Sequence, residues 1–237
     1  MEKYLTKQKN LMSLWKKSRP DQIADFVSDG IIHPATWFES SGEKVLFILK
    51  EAYSARKDEE WDLAKWLCGE KCTKTCFNQC SKCWPTGYTY NHVAEQAHMI
   101  LAQSEIFDEW LGAQKGSRIS YLNAKKKILK EIAVINIKKF SGAKRSRARE
   151  LRRYTEDYKG MLKEQIEIIR PTVIVCGGTY TYLQQIFDLP TLDNPNDGGI
   201  NFNGIKIIAV GHPNQRITSK EKAEKVARNY FLLKEST

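Results

Sequence analysis

The sequence predicts an α/β fold: a single domain over residues 1–237 with three layers, in which helices cover both faces of a central four-stranded parallel sheet. Four short apolar runs alternate along the chain with longer segments of helical periodicity. That alternation is typical of parallel strands joined by helical crossovers. The chain length of 237 residues suits one such domain, and we find neither an internal repeat nor a long linker.

The four apolar runs are the predicted strands, and they lie at 45–49, 132–136, 172–176 and 205–210. Each is rich in branched aliphatic side chains, as expected for a strand that is buried on both faces. Gly177-Gly178 closes the third run, and Asn203-Gly204 predicts a tight turn before the fourth.

The intervening segments are predicted to be helical. Residues 1–30 form most of an N-terminal helical segment that extends to 40, and a Cys-rich insertion at 66–90 follows the first strand. Pro171 ends the longest helix, and Thr218 with Glu221 predicts a capping box for the last one. The other predicted helices lie at 91–111, 122–131, 150–169, 179–187 and 218–233.

The charge of the chain points to a polyanionic partner. There are 38 basic and 28 acidic residues, a net charge of +10, and such an excess favours nucleic acid first and an anionic membrane second. No apolar run reaches the roughly 18 residues that a membrane span needs, the N-terminus lacks the apolar stretch of a signal peptide, and no amphipathic anchor accompanies the charge. We therefore predict a cytoplasmic, monomeric protein that binds DNA and no membrane.

Much of the excess charge lies between residues 138 and 153. This segment has eight basic residues and one acidic residue, Glu150. A solvated helix face normally alternates Lys or Arg with Glu, so the near absence of Glu favours contact with DNA phosphates, although an ordinary solvated face stays open.

Polar residues follow each predicted strand. Glu51 follows the first strand, Asn136 ends the second, and His212 follows the fourth. In open α/β sheets, ligands bind beyond the carboxyl ends of the strands. We therefore expect these side chains to meet at one edge, although each one taken alone is as readily explained as a solvated or loop-capping residue.

In this order, Glu51-Ala52 after the first strand, Asn136 after the second and His212-Pro213 with Arg216 near the end resemble the uracil-DNA glycosylase superfamily. The resemblance spans about residues 43–232. The chain departs from the family's motifs at three positions: Lys50 replaces a glycine, Tyr53 a proline and Asn214 a serine. These departures concern the substrate more than the fold, and some members of the superfamily in phage defence excise hypermodified cytosines rather than uracil.

The resemblance implies that Glu51 and His212 are catalytic and that Asn136, Ala52 and Tyr53 bind the extruded base. An Asn amide can present both a donor and an acceptor to the edge of a base. The residues predicted to bind DNA are Lys138, Lys139, Lys144, Arg145, Arg147, Gly178, Thr179, Asn214 and Arg216. Gly177-Gly178 is also compatible with an ordinary strand-to-helix turn.

Five of the six cysteines fall between Cys68 and Cys83. Their spacing allows a structural zinc or an iron–sulfur cluster, and a loop of free thiols is the open alternative. No cofactor is expected for base excision itself. The predicted metal ligands are Cys72, Cys76, Cys80 and Cys83.

The function expected from the sequence is that of a DNA glycosylase, a hydrolase that excises uracil or a hypermodified cytosine and leaves an abasic site, in DNA repair or anti-phage defence. Two alternatives stay open. One is a non-catalytic DNA-binding module with a zinc element. The other is a nucleotide-processing α/β hydrolase that uses Gly177-Gly178, which the absence of a following Walker-type lysine disfavours.

Overall fold

The fold is described from a computed structural model for residues 1–52, 61–69, 88–107, 118–140 and 146–236. The strands in these ranges are β1 Val27–Ser28, β2 Gly30–Ile31, β3 Val45–Glu51, β4 Trp61–Asp62, β5 Ala133–Lys138, β6 Val173–Gly177, β7 Asp197–Phe202 and β8 Ile205–Val210. The helices are α1 Glu2–Ser18, α2 Pro34–Glu39, α3 Leu63–Cys68, α4 Tyr88–Leu101, α5 Arg118–Lys130, α6 Ala148–Ile169, α7 Tyr180–Phe187 and α8 Ser219–Glu235, and a 3₁₀ helix spans Pro20–Asp25.

The main sheet has six strands in the order β2-β5-β3-β6-β8-β7. The four strands predicted from the sequence are its inner strands, and they pair in parallel with one another. The two outer strands, β2 and β7, pair antiparallel to their neighbours. The sheet is therefore mixed and six-stranded, and the prediction of four strands missed both edges.

There are physical reasons why the sequence did not predict the two edge strands. Strand β7 has the sequence Asp-Gly-Gly-Ile-Asn-Phe, which lacks an apolar run. It joins β8 through Asn203-Gly204, where both residues have positive φ, as a type I′ hairpin turn requires. Strand β2 has only two residues, too few for a pattern, and its place is set by pairing with β5.

The N-terminal segment was predicted as helical and is only partly so. Helix α1 ends at Ser18, and Pro20 begins the short 3₁₀ helix. Proline tolerates the first turn of a helix but cannot continue one from the preceding residues, because its nitrogen has no proton to donate. The chain then enters β1, which pairs with β4 in a separate two-stranded sheet.

Helices cover both faces of the main sheet, as predicted. On one face, alternate strand residues pack with α1, α6 and α7 around buried Trp15, Leu162 and Leu183. On the other, the intervening strand residues pack with α4, α5 and α8 around Ala97 and Tyr230. Among the described residues, no helix is both long and apolar enough to cross a bilayer.

The later helices agree with the sequence to within a few residues. Helix α6 begins at Ala148 and carries a buried stripe of Leu, Tyr and Ile, and α8 starts at the predicted capping box. There the Thr218 side chain accepts a hydrogen bond from the backbone N–H of Glu221, and the Glu221 carboxylate accepts one from the backbone N–H of Thr218. The predicted helix 91–111 spans Tyr88–Leu101 and ends earlier than expected, because the described residues 102–106 are not helical and Gln103 has a positive φ.

Candidate functional site

The carboxyl ends of the four inner strands meet at one edge of the sheet. In the parallel register, Leu49 of β3 lies beside Asn136 of β5, and Glu51 beside Lys138. Gly177 of β6 lies beside Val210 of β8, two residues before His212. Adjacent strands are about 4.8 Å apart, so the line from β5 to β8 spans roughly 14 Å at this edge.

Glu51 is held at this edge by an ion pair. Its side chain is 6% exposed, and its Oε2 lies 3.4 Å from Nζ of Lys138. Lys138 also forms an ion pair with the exposed carboxylate of Glu150 at the start of α6. Lys138, predicted to bind DNA, therefore bridges the sheet edge and the basic helix, and it restricts where the Glu51 carboxylate can point.

Asn136 is 1% exposed, and its amide has a fixed orientation. Its backbone N–H and its Nδ2 both donate to Oδ2 of Asp29, at 2.7 and 3.2 Å. A carboxylate only accepts hydrogen bonds, so the amide nitrogen must face it. The Oδ1 atom of Asn136 is left with no hydrogen-bond partner in the described structure, and a buried acceptor of this kind favours a ligand that donates to it.

Asp29 organises a buried polar centre behind Asn136. Its Oδ1 accepts from Nζ of Lys139 at 2.6 Å and from Nε2 of Gln165 at 3.0 Å. Nζ of Lys139 also donates to the Asn136 carbonyl at 2.8 Å and lies 5.0 Å from the ring centre of Trp15. Lys139 is 0% exposed, so its predicted contact with DNA phosphates is not possible in this conformation; its role here is to neutralise Asp29.

His212 is held in the neutral state with a defined tautomer. Its Nδ1 accepts a hydrogen bond from the backbone N–H of Asn214 at 3.1 Å, so in the neutral ring the proton is on Nε2. Burial and then the positive charges of Lys50 and Lys222 lower the pKa of His212 to about 4. At neutral pH the ring therefore offers one N–H donor and carries no charge.

Gly178 and Thr179 pack the end of β6 against the His212 loop. Gly178 has φ +69°, and a Cβ there would lie 3.2 Å from the His212 nitrogen and 3.4 Å from Cε of Lys50. Its backbone N–H already donates to carbonyl oxygens within the fold. The Thr179 hydroxyl donates to the carbonyl of Ile48 at 2.7 Å and is buried. The backbone N–H of Gly178 and the hydroxyl of Thr179 are therefore engaged in internal hydrogen bonds, while a phosphate contact through the backbone N–H of Thr179 stays a prediction.

A second charged centre lies on the opposite face of the sheet, between α4, α5 and α8. Glu95 is buried there, 3.1 Å from Nζ of Lys125 and 2.9 Å from Nδ1 of His92, and it accepts from the Tyr121 hydroxyl. Burial alone would raise the pKa of Glu95. The hydrogen bond from His92, the charge of Lys125 and the bond from Tyr121 outweigh burial and lower it to about 2.

Other predicted contact residues remain accessible. Asn214 and Arg216 are exposed in the loop after His212, and Arg147 is exposed directly before α6. Arg149, Arg152 and Arg153 extend that basic surface along the first turns of α6. Ala52, predicted at the base pocket, is buried directly after β3.

Several predicted residues lie outside the described ranges: Tyr53, Lys144, Arg145 and the proposed metal ligands Cys72, Cys76, Cys80 and Cys83. Cys68 is described and is buried at the end of α3. Within the described ranges, His, Cys, Asp and Glu side chains nowhere form a group of three that would hold a metal ion.

The sequence analysis did not identify three residues of this edge. Asp29, Lys50 and Lys222 orient Asn136 or set the charge state of His212. Lys50 was noted only as a departure from a family motif, Lys222 directly follows the capping box without being part of it, and Asp29 lies far from any motif. Asp29 carries no local sequence signal, because its partner Asn136 is 107 residues away along the chain.

No family model, no curated protein and no solved structure matches the chain.

Proposed function

We propose that the protein is a DNA glycosylase with a uracil-DNA glycosylase-like architecture, which extrudes a modified pyrimidine and hydrolyses its N-glycosidic bond. Uracil and a hypermodified cytosine are the substrate classes, with DNA repair or anti-phage defence as the setting. The observation that carries the proposal is His212, a neutral imidazole whose Nε2–H has no partner among the described residues, at the same sheet edge as Glu51 and Asn136.

Cleavage breaks the C1′–N bond, and the bonding electrons leave with the base. Positive charge then develops on the sugar and negative charge on the base. His212 donates Nε2–H to a base oxygen as that charge grows, and the donor is effective because the ring is neutral and fixed by Asn214. A preorganised donor of this kind typically contributes a factor of about 10²–10³ to the rate.

Glu51 has the complementary role on the sugar. Its carboxylate stabilises the cationic sugar and orients a water molecule, whose oxygen bonds to C1′ while its proton passes to solvent. The ion pair with Lys138 holds the carboxylate in place at the end of β3. Asn136 reads the base through Oδ1, which has no partner among the described residues and accepts from a ring N–H or an exocyclic amino group in a conformation that exposes this buried amide to the base.

The exposed arginines at the start of α6 support binding of the DNA backbone. They lie beyond β5, next to the Glu51–Lys138 pair, and Lys138 joins the two regions through Glu150. Each phosphate that such side chains neutralise makes the affinity more sensitive to salt. Base extrusion, which costs a few kcal/mol, has to be supported by such backbone contacts.

The test is a panel of DNA duplexes and single strands that carry uracil, hypoxanthine, hydroxymethylcytosine or glucosylated cytosine. We expect abasic sites and released base from at least one of them. Substitution Glu51→Gln or His212→Ala should lower cleavage at least about 100-fold while DNA affinity stays within about twofold.

The matched control is Glu156→Gln, an exposed glutamate on α6 that should leave cleavage unchanged. Salt-sensitive binding without any abasic product across the panel would favour the non-catalytic DNA-binding module instead. Hydrolysis of free nucleotides without action on DNA would favour the nucleotide-processing hydrolase. Full cleavage by both site variants would refute the roles assigned to Glu51 and His212.

A further inference from the structure

A cavity of about 480 Å³ lies at the end of the main sheet opposite the candidate functional site. It is found where β6 and β8 begin, beside the C-terminal end of α6, whereas Gly177 and His212 follow at the other ends of the same strands. Phe202, Asn203 and Ile205 of the β7–β8 hairpin line one side of it, and we call it the hairpin cavity. Its volume is on the scale of sites for small organic ligands, about 300–1,000 Å³.

The interior of the hairpin cavity is apolar. Its floor is formed by the side chains of Ile166, Ile174 and Ile207, which are all buried. Its walls include the half-buried rings of Phe187 and Phe202, whose centres lie 6.4 Å apart at an interplanar angle of 64°. These surfaces favour a ligand with an apolar body, because its burial removes apolar area from water on both partners.

The rim of the hairpin cavity is charged. Lys163, Glu167 and Arg170 line the cavity and are exposed, so the rim has two positive charges and one negative charge. Nζ of Lys163 lies over the ring of Phe187, 5.8 Å from its centre, which places the ammonium group directly beside the apolar wall. Among the described residues, neither Lys163 nor Arg170 forms an ion pair. The rim therefore has an excess of one positive charge.

Arg170 has a backbone conformation that suits glycine better than arginine. It is the first residue after α6, with φ +54° and ψ +60°, in the left-handed region where a Cβ atom is crowded. Helices commonly end with a glycine in this conformation, so an arginine adds backbone strain. Arg170 also lines an adjoining cavity together with Lys3 and Lys7. Backbone strain at a residue that lines two cavities favours a role in binding over a role in folding.

We infer that the hairpin cavity binds a small hydrophobic carboxylate, with its apolar body against Phe187 and Phe202 and its charged group between Lys163 and Arg170. One excess positive charge at the rim matches the single negative charge of a carboxylate, whereas a phosphate monoester carries about 1.5 to 2 negative charges. A planar guanidinium donates to both oxygens of a carboxylate in a geometry that an ammonium group does not provide. The cavity is separate from the candidate functional site, so this inference does not rest on the proposed function.

The test is a titration of the full chain with naphthoate, followed by NMR of isotope-labelled isoleucine δ1 methyl groups at constant ionic strength maintained with chloride. Four isoleucines line the cavity, so their signals report directly on its occupation. We expect saturable shifts for these four methyl groups, while the signal of Ile128, which is buried on the opposite face of the sheet, should not move. The four reporters are Ile166, Ile174, Ile205 and Ile207.

The rim charges are tested with Lys163→Met and Arg170→Gly. Each should raise the dissociation constant for naphthoate about threefold, and the double variant about tenfold, because exposed charge pairs contribute modestly. Naphthalenemethanol has the same rings without the charge, so it should bind the wild type about tenfold more weakly than naphthoate does, and the double variant equally weakly. Lys220→Met is the matched control, since Lys220 lies on α8, is exposed, pairs with Glu224 and does not line the cavity.

Two further measurements separate ligand binding from folding. Glycine accepts a positive φ without strain, so the thermal unfolding temperature of Arg170→Gly should not fall below that of the wild type. Ile205→Trp enlarges a half-buried side chain of the cavity wall, so it should abolish the saturable shifts by filling the space. An unchanged Ile128 signal in Ile205→Trp shows that the rest of the fold is intact.

The outcomes bear on the hairpin cavity alone, because none of these measurements needs DNA. Absence of saturable shifts at the four isoleucines of the wild type would overturn the site. Equal affinities of the wild type for naphthoate and naphthalenemethanol would overturn the carboxylate as its ligand. A lower unfolding temperature of Arg170→Gly with unchanged naphthoate affinity would assign Arg170 to the fold instead. Failure to release a base from any DNA would refute the proposed function and leave the cavity site unaffected.

Discussion

Two buried acid–lysine centres in the described part of the chain lie on opposite faces of the same sheet, and they differ in how completely their charges are paired. In the first, Asp29 accepts hydrogen bonds from Lys139, Gln165 and Asn136, and one anion faces one cation. In the second, Glu95 pairs with Lys125, and Lys222 adds a further buried cation.

This difference separates a centre whose charges neutralise each other from one that carries an additional cation. The Asp29 centre is internally neutral, and its hydrogen bonds fix Asn136 at the end of β5. The Glu95 centre includes the buried Lys222, whose positive charge lowers the pKa of His212 together with burial and Lys50. A carboxylate and a lysine that neutralise each other stabilise the position of a site residue, whereas an unneutralised charge favours a ligand of opposite sign. The following predictions test that contrast, from the largest expected effect to the smallest.

Asp29→Asn should have the largest effect on folding. It removes the only described anion beside Lys139, which is fully buried, and breaking a buried ion pair from one side typically costs about 3–5 kcal/mol. Urea unfolding measures the change in the free energy of unfolding. The control is Asp157→Asn, whose carboxylate forms an exposed pair with Arg153 and should contribute less than about 1 kcal/mol. A loss below 1 kcal/mol at Asp29 would contradict the structural role.

Glu95 should make stability depend on acid pH. Its pKa is lowered to about 2 in the fold, against 4.5 for the free side chain. The folded state then binds fewer protons than the unfolded state, so this stabilisation is complete above about pH 4.5. It should be lost as the pH falls towards 2, with a size of roughly 3 kcal/mol.

Urea unfolding between pH 2 and pH 6 measures this dependence. Glu95→Gln should reduce the slope between pH 4.5 and 2 and lower stability at pH 6, while the exposed Glu156→Gln should change neither. An unchanged slope in Glu95→Gln would show that other carboxylates dominate the acid unfolding.

His212 should titrate near pH 4 rather than near 6.5, because burial and the two lysines disfavour its charged form. Since the folded ring resists protonation, stability should fall as the pH decreases from 6.5 to 4. Imidazole NMR signals measure the pKa directly. Lys222→Met should move the pKa of His212 towards 6.5, and Lys220→Met should leave it unchanged. A pKa of about 6.5 for His212 in the wild type would contradict the electrostatic effect of Lys222 on His212.

Thr218→Ala should have the smallest effect of the set. It removes half of the capping box that begins α8, the helix that carries Lys222, and loss of such a cap typically costs about 1 kcal/mol. Thermal or urea unfolding is the measurement. Thr191→Ala, at an exposed loop hydroxyl, should cost less than about 0.5 kcal/mol. Equal losses in both variants would mean that the cap adds nothing to the stability of α8.

The inner sheet was predictable because its strands are apolar on both faces. Each inner strand is a run of apolar residues, so both of its faces are buried in the fold. Examples of these buried residues are Val45, Val134, Val175 and Ile208. The edge strands β2 and β7 were not predictable, because a two-residue strand and a glycine-rich strand have no apolar pattern of their own. The position of each edge strand is determined by its hydrogen bonds to the neighbouring inner strand of the sheet.

The candidate site was predictable only in its positions along the chain. Glu51, Asn136 and His212 follow strands, and parallel strands bring their carboxyl ends together. The contacts that set their chemistry were not predictable, since Asp29 lies 107 residues from Asn136 along the chain. Lys139 is the clearest example of a contact that the sequence could not predict. In the sequence it belongs to a basic segment, but in the fold its side chain is buried in the core.

The sequence by itself determined the class of fold, the four parallel strands and the order of polar residues at their ends. These follow from local patterns of apolar spacing and turn residues, which need no knowledge of distant partners. Only the tertiary structure decided which charges are neutralised, which amide orientation Asn136 adopts and which nitrogen of His212 carries the proton. Those properties depend on burial and on contacts between residues that are far apart in the chain, and both arise only when the sheet and its two helical layers pack together.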